Sequence, residues 1–168
     1  AGVLHTVTDA EDNATTYRYD AVGRLVEITD ALENKIAYAY DANGNLTGVT
    51  DPNGNATTFT YDNRNRVVRI DYPDAVFETF EYSIVGNRVS QTDRKGNEWT
   101  FSYDVLNRMT QKTHEDGLQV AYSYDDLGRL ISAKNGVHDA TYTYNALGRV
   151  ITAALDEDKT VQHTYDPA

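Results

Sequence analysis

A tyrosine returns along this chain at a nearly fixed interval, and that period limits the fold more than any other feature. It falls at Tyr19, Tyr40, Tyr61, Tyr82, Tyr103, Tyr124, Tyr144 and Tyr165, 21 residues apart except for one step of 20 between Tyr124 and Tyr144. Two positions earlier stand Tyr17, Tyr38, Phe59, Phe80, Phe101, Tyr122, Tyr142 and His163, so the pair is aromatic in every copy but the last. Twelve of the thirteen tyrosines lie in these two columns, leaving only Tyr72 outside. Self-similarity at such a period marks a repeat architecture, in which one supersecondary unit is stacked many times.

Residues two apart on a strand share a face, so each aromatic-x-Tyr pair sets two rings side by side. The residues between them, Arg18, Ala39, Thr60, Glu81, Ser102, Ser123, Thr143 and Thr164, are mostly polar, an alternation that predicts a strand with one covered face. A second strand follows in each copy, as in RLVEITD from Arg24 and NLTGVTD from Asn45. Its apolar residues, such as Leu25 and Ile28, are three apart. A bulge or two covered faces would each explain that spacing.

The segment between the strands reads as a turn. After each second tyrosine comes Asp20, Asp41, Asp62, Ser83, Asp104, Asp125, Asn145 or Asp166, types whose short side chains bond nearby backbone N–H groups at the first position of a type I turn. Three residues further stand Gly23, Gly44, Asn65, Gly86, Asn107, Gly128 and Gly148, the two types that best tolerate the left-handed conformation closing such a hairpin. The opposite ends, DPNGN from Asp51, DRKGN from Asp93 and EDG from Glu115, suggest turns of variable length. Each copy is thus a β-hairpin, and eight copies over residues 1–168 predict roughly sixteen strands in an antiparallel meander. A lone hairpin is marginal in water; stacking supplies cross-strand pairs, and stability becomes a sum along the array.

With 40% apolar residues, the 168-residue chain is too apolar for a disordered acidic tail, and a folded core is expected. A net charge of −11, with no compensating basic cluster, argues against nucleic acid and anionic membrane surfaces as partners. Cysteine is absent, which removes disulfides and thiolate metal sites. No apolar run approaches the roughly 18 residues of a membrane span. The chain starts mid-pattern at AGVLHTVTDAED and stops at TYDPA as another copy opens, so it is read as a piece of a longer protein, cut within the array at both ends.

YDAVGRL, YDANGNLTGVTDPNGNATTFTYD and YDDLGRL, at this period, closely resemble the Rhs or YD repeat, and the match runs over essentially the whole chain. That family includes bacterial Rhs polymorphic toxins, the C component of insecticidal toxin complexes and the animal teneurins. The resemblance implies an all-β fold in which tandem hairpins form a long β-sheet strip that spirals into a hollow shell. In bacterial members the shell encloses a toxic C-terminal domain; in teneurins it belongs to an extracellular adhesion receptor. Ser83 and Asn145 depart from the motif aspartate, and Asn65 and Asn107 from the glycine. The plug region with its aspartate-based self-cleavage site, which usually ends the bacterial shells, has no counterpart in the sequence.

The residues expected to carry structure are therefore the motif itself: Tyr19, Asp20, Gly23; Tyr40, Asp41, Gly44; Tyr61, Asp62; Tyr82, Gly86; Tyr103, Asp104; Tyr124, Asp125, Gly128; Tyr144, Gly148. The tyrosine ladder invites a surface for stacking sugars or cradling an unfolded cargo, but periodic aromatic pairs are foremost what strand packing needs. Arg24, Arg66, Arg108, Arg129 and Arg149 invite anion binding; flanking the turns with a solvated head or a cation–π contact is the simpler reading. Asp51, Asn53, Asn55 and Asp62 fall at calcium-loop spacing, yet Ala56 stands where an EF-hand needs glycine. His5, His114, His138 and His163 lack zinc spacing, and no phosphate loop, nucleophile elbow or compact acid–base set appears. Asn13, Asn45 and Asn55 open glycosylation sequons, a short motif that arises often by chance.

No catalytic, cofactor or metal site is thus expected. The leading expectation is a non-catalytic wall segment of an Rhs-type shell enclosing a toxin or effector domain of a larger secreted protein. Its partners are then the remaining repeats and a C-terminal cargo domain. The alternative is a cell-surface module binding glycan or a receptor. Cutting the array leaves unpaired strand edges, which predicts edge-to-edge self-association.

Overall fold

The computed structural model describes residues 2–156 and 159–165. Every element in them is a strand, and strands of two kinds alternate. The first kind ends on the repeat tyrosine: β2 (Ala14–Tyr19), β4 (Lys35–Tyr40), β6 (Ala56–Tyr61), β8 (Phe77–Tyr82), β10 (Glu98–Tyr103), β12 (Gln119–Tyr124) and β14 (Asp139–Tyr144), while β16 (Lys159–Gln162), at the same place in its copy, stops short of Tyr165. The second kind follows the turn: β3 (Leu25–Thr29), β5 (Leu46–Thr50), β7 (Val67–Asp71), β9 (Arg88–Thr92), β11 (Met109–His114), β13 (Leu130–Lys134), β15 (Val150–Leu155) and, at the start, β1 (Leu4–Thr8). They lie in the sheet in chain order, β1 to β16, with antiparallel neighbours, as the meander reading requires. Two compact units result, Ala1–Phe80 with Asp93–Lys95, and Glu81–Thr92 with Gly96–Ala168.

The three-residue spacing of the second strands comes from a bulge. In the β2–β3 ladder Arg18 faces Glu27 but Tyr19 faces Leu25, so Val26 is the extra residue. The same shift recurs before Tyr40, Tyr61, Tyr103, Tyr124 and Tyr144. It returns Leu25 to the face occupied by Tyr17, Tyr19 and Ile28, which period two alone would forbid.

The two faces of the ladder differ. One carries Tyr17 opposite Ile28, Tyr38 opposite Val49 and Phe59 opposite Ile70; the other carries Thr16 opposite Thr29 and the Arg18–Glu27 pair, ion-paired at 3.2 Å. The expected buried core is replaced by something thinner. No described residue is fully buried, because the strands form one layer whose half-buried rings shield one another along the ladder.

The far-end turns are more uniform than their sequences suggest. At Asp9, Asp30, Asp51 and Tyr72 the first residue donates its N–H to the carbonyl four residues on, and accepts from the N–H three residues on. His114 opens the same geometry. The fourth position has positive φ throughout, even where it is Asp12 (63°), Glu33 (63°) or Ala75 (62°). One far turn is shorter: Asn135 closes on His138, three residues on. That missing residue produces the single 20-residue step between Tyr124 and Tyr144.

Candidate functional site

At the near end of each hairpin the repeat tyrosine is the last residue of its strand and the following residue opens the turn. The Asp20 carboxylate holds this turn with three bonds: Oδ1 accepts the N–H groups of Val22 (3.0 Å) and Arg24 (2.9 Å), and Oδ2 accepts Arg24 Nε at 2.7 Å. Asp62 with Arg66, Asp104 with Arg108 and Asp125 with Arg129 repeat the clamp, each with a carboxylate–Nε bond of 2.7 Å. In the Asp41 turn Asn45 takes the arginine's place and donates through Nδ2 at 2.9 Å. Because these bonds favour the ionised form, Asp20, Asp41, Asp104 and Asp125 are held below the usual carboxylate range. Bonding to the Arg66 side chain above all lowers Asp62 to about 2. The fourth position takes positive φ at Gly23, Gly44, Gly86, Gly128 and Gly148, and also at Asn65 and Asn107, so each glycine of the motif closes its turn in the left-handed region.

Three of these clamps also reach the next hairpin. Arg24 Nη1 donates to the Asp41 carbonyl at 3.0 Å while its guanidinium lies over the Tyr40 ring, 4.9 Å from the centroid. Arg108 does the same toward Asp125 and Tyr124, and Arg129 toward Asn145 and Tyr144. In return the tyrosine hydroxyl donates backward to the carbonyl that opens the preceding second strand: Tyr40 to Leu25 (2.9 Å), Tyr61 to Leu46 (2.8 Å), Tyr103 to Arg88 (2.8 Å), Tyr124 to Met109 (2.8 Å) and Tyr144 to Leu130 (2.6 Å). The bulge beside that residue interrupts regular pairing, so a side chain from the neighbouring strand can serve its carbonyl. Burial pushes the Tyr61 and Tyr124 phenols above their ordinary value. Tyrosine, aspartate and arginine are therefore parts of one stitch, repeated along the rim.

A pairing rule that sequence reading missed emerges from this stitch. Where arginine ends one turn, the next turn has glycine at its fourth position: Arg24 with Gly44, Arg66 with Gly86, Arg108 with Gly128, Arg129 with Gly148. Where asparagine replaces arginine, the next turn has asparagine: Asn45 with Asn65, Asn87 with Asn107. A Cβ on Gly128 would stand 3.9 Å from Arg108 Nη1, and one on Gly148 3.9 Å from Arg129 Nη1, ordinary contact beside the guanidinium, whereas a Cβ on Gly44 or Gly86 would meet nothing within 4 Å. Where the guanidinium is absent, an amide fills the space, with Asn45 Nδ2 donating to Asn65 Oδ1 at 2.8 Å and Asn87 Nδ2 to Asn107 Oδ1 at 2.9 Å. The signal lay 20 residues apart in the sequence, 19 for Arg129 and Gly148, legible only once adjacent turns are known to touch.

A double-mutant cycle tests the rule. Gly128→Asn alone should destabilise, and so should Arg108→Asn, which gives up the stack on Tyr124. The double variant can rebuild the amide pair, so it should fall short of the summed losses by about 1 kcal/mol in chemical denaturation.

The remaining candidates are dispersed. The Asp51 carboxylate is occupied by the N–H groups of Asn53 and Asn55 and by Asn55 Nδ2, while Asp62 clamps the turn at the other end of β6. The calcium-spaced oxygens are thus not brought together. His5 packs edge-on against Tyr19, His114 against Trp99, and His138 Nδ1 lies 2.8 Å from Asp156. Among the described residues no group of three metal-ligating side chains forms. Asp166 and Pro167 of the last motif copy lie outside the described residues.

Solved structures with the same strand arrangement are known. A crystal structure of TcdB2-TccC3 superposes with a TM-score of 0.70 at 17% identity, covering 88% of this chain and 10% of that one. One of TcdB2-TccC3-Cdc42 gives 0.69 at 19%, covering 86% and 9%. A Photorhabdus luminescens Tc holotoxin pore gives 0.62 at 18%, covering 91% and 9%. At these identities the likeness shows the fold, and the chain spans about a tenth of the length of the chains it matches. No curated protein sequence matches it significantly. The model of the RHS Repeat matches residues 1–35, 40–76, 85–119 and 124–161, and with most of its residues so matched and its hairpins stitched at the repeat period, the chain belongs to the RHS repeat family.

Proposed function

We propose that this array is a non-catalytic wall segment of an Rhs-type shell, which encloses and shields a toxin or effector domain of a larger secreted protein. The observation that carries the reading is the stitch. Asp20 and its counterparts spend their carboxylates on their own turns, Arg24, Arg108 and Arg129 reach the next hairpin, and Tyr40, Tyr61, Tyr103, Tyr124 and Tyr144 bond back to the preceding one, so that among the described residues the motif's polar atoms are spent on holding hairpin to hairpin. Such a sheet serves as a partition, and its role in the likeness to TccC3-containing structures is that of a strip within a much longer chain. The sugar-stacking alternative gains little support from rings such as Tyr40 and Tyr124, whose hydroxyls are bonded to backbone carbonyls and over which arginines lie.

The test is made on the full reading frame that contains this segment. The intact protein and a variant lacking two whole repeats are treated with protease, and the fate of the domain following the array is followed. Protection in the intact protein and rapid cleavage in the shortened one is the expected result. Equal cleavage in both, or an array with no domain beyond it, would overturn the reading.

A further inference from the structure

Four tyrosines of the repeat column lie under a guanidinium from the preceding hairpin: Tyr40 under Arg24, Tyr124 under Arg108, Tyr144 under Arg129 and Tyr165 under Arg149, with 4.4 to 4.9 Å to the ring centroid. Tyr103 differs. Asn87 stands where its arginine would be, and among the described residues no cation lies over the Tyr103 ring. The 2.9 Å bond from Asn87 Nδ2 to Asn107 Oδ1 ties the two turns together, and a recess of about 470 Å³ opens there, lined by Phe101 and Tyr103, by Asn87 and by Val85, Val89 and Val105. β9 and β10 have neighbours on both sides, so the recess belongs to the interior of the sheet. It also lies within one compact unit, Glu81–Thr92 with Gly96–Ala168. The other asparagine pair is tied more fully: Asn45 Nδ2 also bonds Asp41 Oδ2 at 2.9 Å, and Asn43 Nδ2 reaches Asn65 Oδ1 at 3.2 Å, where Val85 has no such group.

In the covered copies the arginine also donates to the carbonyl of the residue after the tyrosine, as Arg24 does to Asp41, Arg108 to Asp125 and Arg129 to Asn145. The counterpart here is the Asp104 carbonyl. It accepts the Asn107 N–H at 3.0 Å and, among the described residues, no side-chain donor, which leaves it a second lone pair. Asn87 Oδ1 likewise has no donor among the described residues. A ring face beside two such oxygens suits a flat cation with several N–H groups. That is the group the chain itself sets over the tyrosine in four other copies.

We propose that the recess takes the guanidinium of an arginine from a basic partner polypeptide, seated over Tyr103 and donating to the Asp104 carbonyl as Arg24 does over Tyr40. The arginine stem is apolar and lies against Val85 and Val105, which are 68% and 97% exposed. A net charge of −11 draws such a partner to the chain. One like charge borders the recess, the Arg88 guanidinium lying over Phe101 at 4.9 Å, at a place where other copies carry Leu25, Leu46 and Leu130. The site follows from the stitch and holds whether or not the array encloses a cargo.

Photocrosslinking to the full reading frame that contains this segment provides the test. The probe is a pentapeptide of glycine and serine with a central arginine and a diazirine beside it, and mass spectrometry locates its adducts. They should fall on β9, β10 and the turns over 83–87 and 104–107. A citrulline probe, which keeps arginine's shape without its charge, should label about tenfold less. Asn87→Arg combined with Asn107→Gly gives the recess a guanidinium of its own, as Arg149 covers Tyr165 from a turn that also opens without aspartate. Labelling of that variant by the arginine probe should fall to the citrulline level. If circular dichroism shows it unfolded, Arg88→Leu replaces it, and removal of the bordering charge should raise labelling roughly threefold. Equal labelling by the two probes, adducts confined to other strands, undiminished labelling of the double variant, or a fall with Arg88→Leu would each overturn the proposal. Labelling by a diazirine-bearing agmatine but not by the peptide would assign the recess to a small guanidine and overturn the polypeptide partner.

Discussion

Replacing Tyr124 with alanine is expected to cost the array about 3 kcal/mol, and replacing it with phenylalanine about 1 kcal/mol. The difference isolates the hydroxyl. Phenylalanine keeps the ring under Arg108, whose guanidinium lies 4.8 Å from its centroid, and loses only the 2.8 Å bond to the Met109 carbonyl. Alanine loses the ring as well, on a face where no described residue is fully buried and few neighbours can collapse into the gap. It also strands Arg108, which then keeps only its bonds to Asp104 and to the Asp125 carbonyl. Urea denaturation of the two variants beside the parent checks both figures. Equal losses would mean that the hydroxyl does everything and the ring nothing, contrary to a ladder held by half-buried aromatics. Since each hairpin meets only its neighbours, the damage should also be local, and hydrogen exchange should quicken in β11 to β13 before it does in β3 to β5.

Much of this architecture could be read before any coordinates. The tyrosine period gave the strand count, and Asp20 with Gly23 gave the near turn, because those features act within a few residues of one another. What stayed hidden depends on neighbours in space. Leu25 and Ile28 left a bulge and two covered faces equally open, and only the opposing Tyr19 and Arg18 decide between them. The far turns looked variable because their residues vary, yet Glu33 (63°) and Ala75 (62°) take positive φ as Gly54 (85°) does: the strands on either side impose the conformation on whatever residue occurs there, against its own preference. The match of Arg108 to Gly128 and of Asn87 to Asn107 needs adjacent turns to be in contact before it means anything. The expectation of a core failed for the same kind of reason, since the alternation of polar and apolar residues marks two unlike faces without saying whether a second layer exists to cover either.

The last complete stitch carries a fault that a single substitution should mend. In the Asn145 turn Oδ1 still accepts the N–H groups of Leu147 (3.0 Å) and Arg149 (2.9 Å), as the aspartates do elsewhere. Beyond that point the amide fails, because the atom facing Arg149 is at best a second donor. Arg149 Nε is left buried without a partner, where Arg129 Nε finds Asp125 Oδ2 at 2.7 Å. Asn145→Asp supplies the missing acceptor with almost no change in shape. Satisfying a buried donor with a charged acceptor should stabilise the array by about 1 to 2 kcal/mol. The gain must depend on pH in a definite direction. The equivalent carboxylates titrate lower in the folded chain than their ordinary value, Asp62 at about 2, so the new carboxylate binds its proton more readily when the chain unfolds. Its contribution is then complete above the unfolded value of about 3.9 and fades as the pH falls through the lowered folded one. Denaturation at neutral pH should show the variant more stable than the parent, and the two curves should converge on acidification toward pH ~2. A variant no more stable at neutral pH would mean that Arg149 Nε is already satisfied by solvent, and that the third bond of the clamp contributes little in the other turns too.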